Sequence, residues 1–281
     1  MSAPEPGCRP SKRHHSNGLL AYYPLTDDGK DQSGHGLDLT LNNVLFSSVG
    51  SGGDMRPAAS FDGVSSYGIV NQTLITRQTN WTWAAWLYSP PANPFEDIYA
   101  EGLQGGACFN IDLNGSGPGT LQIAAWNVGS PGNWKGAFVP NILTNGWNHL
   151  ALTLANGGVG TGTLSVFFNG VITNTAVLQS VVPQDTSPRL GVVGNGWWRG
   201  SASYTMAPWK GSMSNLRFYN RALSSNDVAQ LYAIESAPPP SFQTNGLLAY
   251  YPLTTDGKDQ SGHDLRPSSE QRSVLHGRPC R

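Results

Sequence analysis

Leu164-Ser165-Val166-Phe167-Phe168-Asn169-Gly170-Val171-Ile172-Thr173 decides the fold class. Two β-branched and aromatic runs meet at Asn-Gly, the pair that best tolerates the positive φ angles of a type I′ turn. The stretch predicts an antiparallel hairpin. The same grammar extends outward through residues 19–23, 81–88, 121–126, 149–154, 189–193 and 214–219. These short apolar runs are separated by turns rich in Gly, Ser, Asn and Pro. Together they predict an all-β fold, a two-sheet antiparallel jelly-roll sandwich. One helix is expected, short and C-terminal. Ser224-Ser225-Asn226-Asp227 offers a hydroxyl cap with an acid three residues on, and Val228, Leu231 and Tyr232 continue at helical spacing.

Composition agrees. The 281 residues carry a net charge of −1, and charged residues make up only 12% beside 34 Gly and 20 Pro. A helix bundle needs more surface charge and fewer breakers. Near-zero net charge excludes a basic binder of nucleic acid that acts by bulk charge. No apolar run is long enough to span a membrane, and the opening residues lack the apolar core of a secretory signal. The three cysteines, Cys8, Cys108 and Cys280, lack disulfide or zinc spacing. Cys108, inside an apolar run, reads as a packing residue.

An internal repeat sets the domain layout. Residues 17–35 recur as residues 245–263, with Thr255 in place of Asp27 as the single difference. The expected organisation is a leader over 1–16, one jelly-roll domain over 17–236, and a Pro-rich linker over 237–244. Residues 245–281 then hold the truncated first strand of a second repeat and a polar, aperiodic tail. An apolar strand without its own domain invites pairing elsewhere, so strand-swapped self-association through 245–253 is expected.

The block resembles the laminin G-like domains of the concanavalin A-like lectin/glucanase superfamily. Six segments carry the resemblance in order: Gly18-Leu19-Leu20-Ala21-Tyr22-Tyr23-Pro24-Leu25 with Asp31-Gln32-Ser33-Gly34; Ala59-Ser60-Phe61-Asp62-Gly63; residues 81–87; Gly146-Trp147-Asn148-His149-Leu150-Ala151; Val166-Phe167-Phe168-Asn169-Gly170; and residues 211–224. Fold follows from this more directly than function, because the superfamily holds lectins, carbohydrate-binding modules, adhesion domains and glycanases. The resemblance implies a secreted or cell-surface, extracellular setting. It also implies a structural Ca2+ near the loop holding Asp27, Asp28, Asp31 and Asp38, with Asp31, the Gly36 carbonyl and Asn215 as candidate ligands. Ser214 and Asn215 stand where the family prefers aspartates, and a turn capped by Asp31 is the competing reading.

The tryptophans suggest the ligand. Trp126, Trp134, Trp197, Trp198 and Trp209 lie near turns rich in Gly and Asn, while Trp81, Trp83 and Trp147 alternate like core residues. Flat apolar rings flanked by amides and a guanidinium suit a neutral polysaccharide. The candidate glycan-binding residues are Trp126, Trp134, Asn195, Trp197, Trp198 and Arg199. A non-catalytic carbohydrate-binding module of a secreted multidomain protein is the leading expectation, and no catalytic residue is assigned. Within Glu96-Asp97-Ile98-Tyr99-Ala100-Glu101, Glu96 and Glu101 have opposite strand parity and Asp97 and Glu101 are two same-face steps apart, so neither makes the adjacent same-face pair of a retaining glycanase. A glycoside hydrolase with a dispersed carboxylate pair, and an adhesion repeat that binds protein, stay open as alternatives. His149, within an apolar strand, reads as a core histidine.

Overall fold

A computed structural model describes residues 16–75, 78–88, 96–102, 108–113, 120–126, 135–139, 146–155, 161–179, 190–196 and 207–236. The expectations for 1–15 and 237–281 lie outside the described residues. The chain divides into two units, Met1–Ser236 and Ala237–Arg281, and all that follows concerns the first.

Fifteen strands and one helix are described: β1 Leu19–Tyr23, β2 Thr40–Asn42, β3 Leu45–Val49, β4 Arg56–Asp62, β5 Tyr67–Val70, β6 Trp81–Tyr88, β7 Glu96–Gly102, β8 Cys108–Leu113, β9 Leu121–Trp126, β10 Lys135–Val139, β11 Trp147–Ala155, β12 Thr161–Phe168, β13 Val171–Gln179, β14 Gly191–Val193, β15 Lys210–Tyr219 and α1 Ser225–Ser236. Sheet A runs β13-β12-β11-β6-β15-β4-β3, with β1 also on β15, and sheet B runs β10-β9-β8-β7-β14-β5-β2. The antiparallel two-sheet sandwich with one short helix is thus present as expected. Asn169 and Gly170 both have positive φ, 49° and 80°, and join β12 to β13.

β15 changes partner midway. Residues 210–213 pair with β4 and residues 216–219 with β1. Asn215, at φ 53°, sits at the irregularity between the two halves.

The core lies between the sheets. Trp83, Ala85 and Leu87 of β6 meet Ile98 and Tyr99 of β7 and Ile111 and Leu113 of β8 in one buried cluster. The other face of sheet A is buried as well. Ala84, Ala151, Phe167 and Tyr219 pack against Val228 and Leu231 of α1, which is why β6 reads as an unbroken apolar run. The helix starts as its sequence predicts. The Ser224 hydroxyl accepts the Asp227 N–H at 3.1 Å, and the Asp227 carboxylate accepts the Ser224 N–H at 3.0 Å. That reciprocal pair satisfies two donors at the helix start.

Trp209 departs from its expectation as a loop aromatic. It is fully buried, 5.5 Å from the Phe61 ring. A ring that meets a second large ring between two sheets gains more from burial than a loop tip would give it.

Candidate functional site

Among the described residues, α1 covers sheet A and no helix covers sheet B. On sheet B the chemistry concentrates around β7 and β8. In β8, Phe109, Ile111 and Leu113 face the core, so Asn110 and Asp112 face away. β7 would put Asp97 and Glu101 on one face if it alternated regularly. It does not, because the register slips between Asp97 and Tyr99. Ile98 is the extra residue, and this bulge sends Asp97 and Glu101 to opposite faces. The parity read from the sequence is therefore corrected: Glu96 and Glu101, across from core-facing Leu113 and Phe109, share a face, while Asp97 faces away from the core and lies directly across from Asp112, which pairs on its other side with Gln122 of β9.

Directly opposed residues have Cβ atoms about 5 Å apart, and like charges there destabilise each other. Asp97 is 1% exposed, Asp112 8% and Glu96 2%. Burial first, and then the charge of Glu96, pushes the Asp112 carboxyl up to about 7. It therefore keeps a proton at pH values where an ordinary aspartate is ionised. Asn110 donates its amide N–H to the Asp97 carboxylate at 3.0 Å. One Asp112 oxygen, the Asn110 amide oxygen and the Asn195 amide nitrogen are buried without a hydrogen-bond partner among the described residues. Such atoms cost about 1–3 kcal/mol each, so three near one acid group mark a place where stability has yielded to something else.

Backbone geometry draws Asn195 and Gly196 to this group. Gly194, at φ 76°, donates its N–H to the Ile98 carbonyl at 2.9 Å and accepts the Trp209 N–H at 3.0 Å. The Asn195 side-chain oxygen accepts the N–H groups of Gly196 and Ala207 at 2.9 and 3.1 Å. Asp97 donates its N–H to the Ala207 carbonyl at 3.0 Å. A Cβ on Gly196 would fall 1.9 Å from the Asp97 carboxylate, so only glycine lets the chain pass there.

Of the expected glycan-binding residues, Asn195 is buried, with its oxygen committed to the backbone. Trp126 ends β9 opposite Cys108, and its side chain lies outside the described residues. Trp134, Trp197, Trp198 and Arg199 also lie outside them. Asp97 and Asp112 were not singled out as a pair in the sequence. The bulge that turns Asp97 outward has no Gly or Pro signal, and their strand pairing is tertiary information.

The candidate metal ligands Asp31 and Asn215 meet opposite ends of Tyr22. One Asp31 oxygen accepts the N–H groups of Tyr22 and Ser33 at 3.0 and 2.8 Å, and the other accepts the Ser33 hydroxyl and the Leu37 N–H at 2.8 and 3.1 Å. Four donors fill a carboxylate's acceptor sites, which is the geometry of the capped-turn reading. Burial alone would raise the Asp31 carboxyl, but these bonds outweigh it and hold the group below its ordinary range. Asn215 accepts the Tyr22 hydroxyl at 2.9 Å, at the opposite end of the tyrosine from Asp31. Gly36, at φ 72°, is exposed. Among the described residues, no group of three or more His, Cys, Asp or Glu gathers as a metal site.

Two other buried carboxylates are structural. Glu101 accepts the Leu74 and Ile75 N–H groups at 2.6 and 2.8 Å and the Tyr99 hydroxyl, which ties a loop to β7. Glu235 pairs with Arg217 and accepts the Trp86 indole N–H at 2.7 Å, which fastens the end of α1 to sheet A. His149 lies beside Trp86 and Tyr232 in this layer, 1% exposed. Burial, with Arg217 and Arg56 nearby, lowers its pKa to about 3 and keeps it neutral. It is the core histidine the sequence suggested.

Comparison with known proteins places this geometry. A family model described as the concanavalin A-like lectin/glucanases superfamily matches residues 62–229. Domain 4 of AbnA, an extracellular arabinanase from Geobacillus stearothermophilus solved with arabinotriose, superposes with a TM-score of 0.56 at 18% identity, covering 76% of this chain and 98% of that one. The receptor-binding domain of botulinum neurotoxin type G gives 0.55 at 14% identity, over 78% of this chain and 52% of that one. The binding domain of Paraclostridial Mosquitocidal Protein 1 gives 0.55 at 15%, over 78% and 53%. The chain thus spans about half the length of the toxin domains. At these identities the likeness is one of fold. No curated protein matches the chain.

Proposed function

Because the chain belongs to the concanavalin A-like lectin/glucanase superfamily, we propose that it is an extracellular carbohydrate-binding module whose binding face is the side of sheet B away from the core. The observation that carries this reading is the polar row Asp97, Asp112 and Gln122, flanked by buried amide atoms without partners. Sugar hydroxyls both donate and accept, so a protonated Asp112, the Asp97 carboxyl and the Asn110 and Asn195 amides form a complementary set. Position 126 shares the strand parity of Gln122. Trp197 follows in sequence on Gly196, where an added Cβ would meet Asp97. Trp126, Trp197 and Trp198 are the stacking residues of this proposal, and Arg199 a hydroxyl ligand. The arabinanase domain was solved with arabinotriose, which puts arabinan first in the panel to be screened. Calcium is not required by this face. Affinity electrophoresis against neutral polysaccharides tests the reading. Retardation by at least one glycan, lost in Trp197→Ala, Trp198→Ala and Asp112→Leu, is expected. Retardation unchanged in all three removes the proposed face.

The opposed carboxyls favour a second reading, glycoside hydrolysis. Asp112, with its raised pKa, would protonate the leaving oxygen and Asp97 would act as base or nucleophile. Release of reducing ends, abolished by both Asp97→Asn and Asp112→Asn, would establish it in place of binding alone.

A further inference from the structure

The surface that holds β1 is described in full, and every residue it recognises occurs twice in the chain. β1 pairs with β15 through Ala21↔Phe218, Tyr22↔Arg217 and Tyr23↔Leu216. Ala21, Tyr23 and Leu25 are buried in the main core, and the Tyr23 hydroxyl donates to the Leu37 carbonyl at 2.6 Å. Arg217 stacks 4.0 Å over Tyr22. Asp31 closes the unit by accepting the Tyr22 N–H, and Gln32 donates to the Tyr22 carbonyl at 2.7 Å. At the strand's ends, Asn220 donates to the Gly18 carbonyl at 2.8 Å and Asn215 to that of Pro24 at 3.0 Å.

The repeat supplies the same set as Gly246, Ala249, Tyr250, Tyr251, Pro252, Leu253, Asp259 and Gln260, with Leu265 in the place of Leu37. The one difference within the repeat, Asp27 against Thr255, falls on a side chain whose described bond is an exposed one from Thr26. The copies diverge beyond His35. Asp38, which accepts the Asp31 N–H and pairs with Lys30, becomes Arg266. Leu39, buried and donating its N–H to Gly29, becomes Pro267, which has no N–H. The docking part is duplicated and the part that seals the resident copy is not.

We infer that the 216–219 half of β15 is an exchange site, filled by residues 17–35 and open to residues 245–263 of the same chain when the first copy is displaced. The reach is sufficient. α1 ends next to Arg217, the strand partner of Tyr22, through Glu235. Ten residues, 237–246, precede the repeated Leu247, an extended reach of roughly 33 Å. A linker of that length gives the tethered copy an effective concentration of about millimolar. Leu39 and Asp38 bias the resident copy, so the second copy serves as a reserve.

Paired substitutions test this. Ala21→Asp with Tyr23→Asp spoils the first copy, and Ala249→Asp with Tyr251→Asp spoils the second. The full chain carrying the first pair is expected to keep one cooperative thermal transition at lowered Tm and a monomer mass by light scattering. The second pair alone leaves Tm unchanged, and all four substitutions abolish the transition. Loss of the transition with the first pair alone overturns the inference. So does a first-pair chain whose stability is unaffected by adding the second pair, because the substitutions are then simply tolerated. A dimer mass for the first-pair variant overturns exchange within one chain in favour of exchange between copies.

Discussion

Asp112→Asn isolates the charge built into the site. In the folded chain the Asp112 carboxyl titrates at about 7 instead of its ordinary 3.8, through burial and the nearby Glu96 charge. Between those values the folded state holds a proton that the unfolded chain has released. The term is fully present below about pH 4, and stability falls as pH rises through 7. At about 1.4 kcal/mol per tenfold, the whole displacement corresponds to roughly 4 kcal/mol. Glu96 shares the same repulsion, so a differential of about 2 kcal/mol is the working expectation. Asparagine mimics the protonated acid at every pH. The variant should match the parent at pH 4 and exceed it by about 2 kcal/mol at pH 8. His149 acts in the opposite sense. Its lowered pKa makes stability rise with pH between about 3 and 6.5, but it is common to both proteins and cancels in the difference. Urea unfolding followed by tryptophan fluorescence at pH 5, 6, 7 and 8 reads the gap. A gap that stays constant from pH 5 to 8 means that Asp112 is ionised throughout, and the reasoning fails.

Four further outcomes are expected. Glu235→Gln leaves Arg217 with a buried charge and should lower stability by about 3 kcal/mol, with earlier proteolytic cleavage within α1 as the check. Gly194→Ala would place a Cβ 2.2 Å from the Phe61 ring at φ 76°, so a loss of about 3 kcal/mol or more in thermal unfolding is expected. Asp31→Ala removes the acceptor of four hydrogen bonds and should cost about 3 kcal/mol at pH 7. Because the Asp31 carboxyl is held below its ordinary range, its contribution is present above about pH 4 and lost as pH falls further. Calcium and a chelator should leave the parent's Tm unchanged, since those four bonds already occupy the carboxylate.

Local chemistry was legible where one residue enforces one geometry. Asn169-Gly170 dictates its turn because only such residues accept two positive φ angles in sequence. Ser224 with Asp227 dictates the helix start because hydroxyl and carboxylate satisfy opposite N–H groups. The apolar alternation of residues 149–154 dictates a strand, and its histidine was readable as a core residue. The strands β2, β3 and β5, three to five residues each, were too short to stand out, and their partners supply the order that their own sequence lacks. Asp97 and Asp112 lie 15 positions apart in the sequence and become opposite neighbours only through the β7–β8 register. Their facing depends on a one-residue bulge at Ile98 that no turn residue announces. Trp209 read as a loop aromatic because its neighbours are loop-like, and only the approach of Phe61 made it core. Sequence by itself settled turns, caps and alternation, since those rest on a residue's own φ, ψ and hydrogen-bonding atoms. Tertiary structure alone decided which side of a strand faces water and which acid holds its proton, because register and the approach of a second sheet set burial and charge spacing.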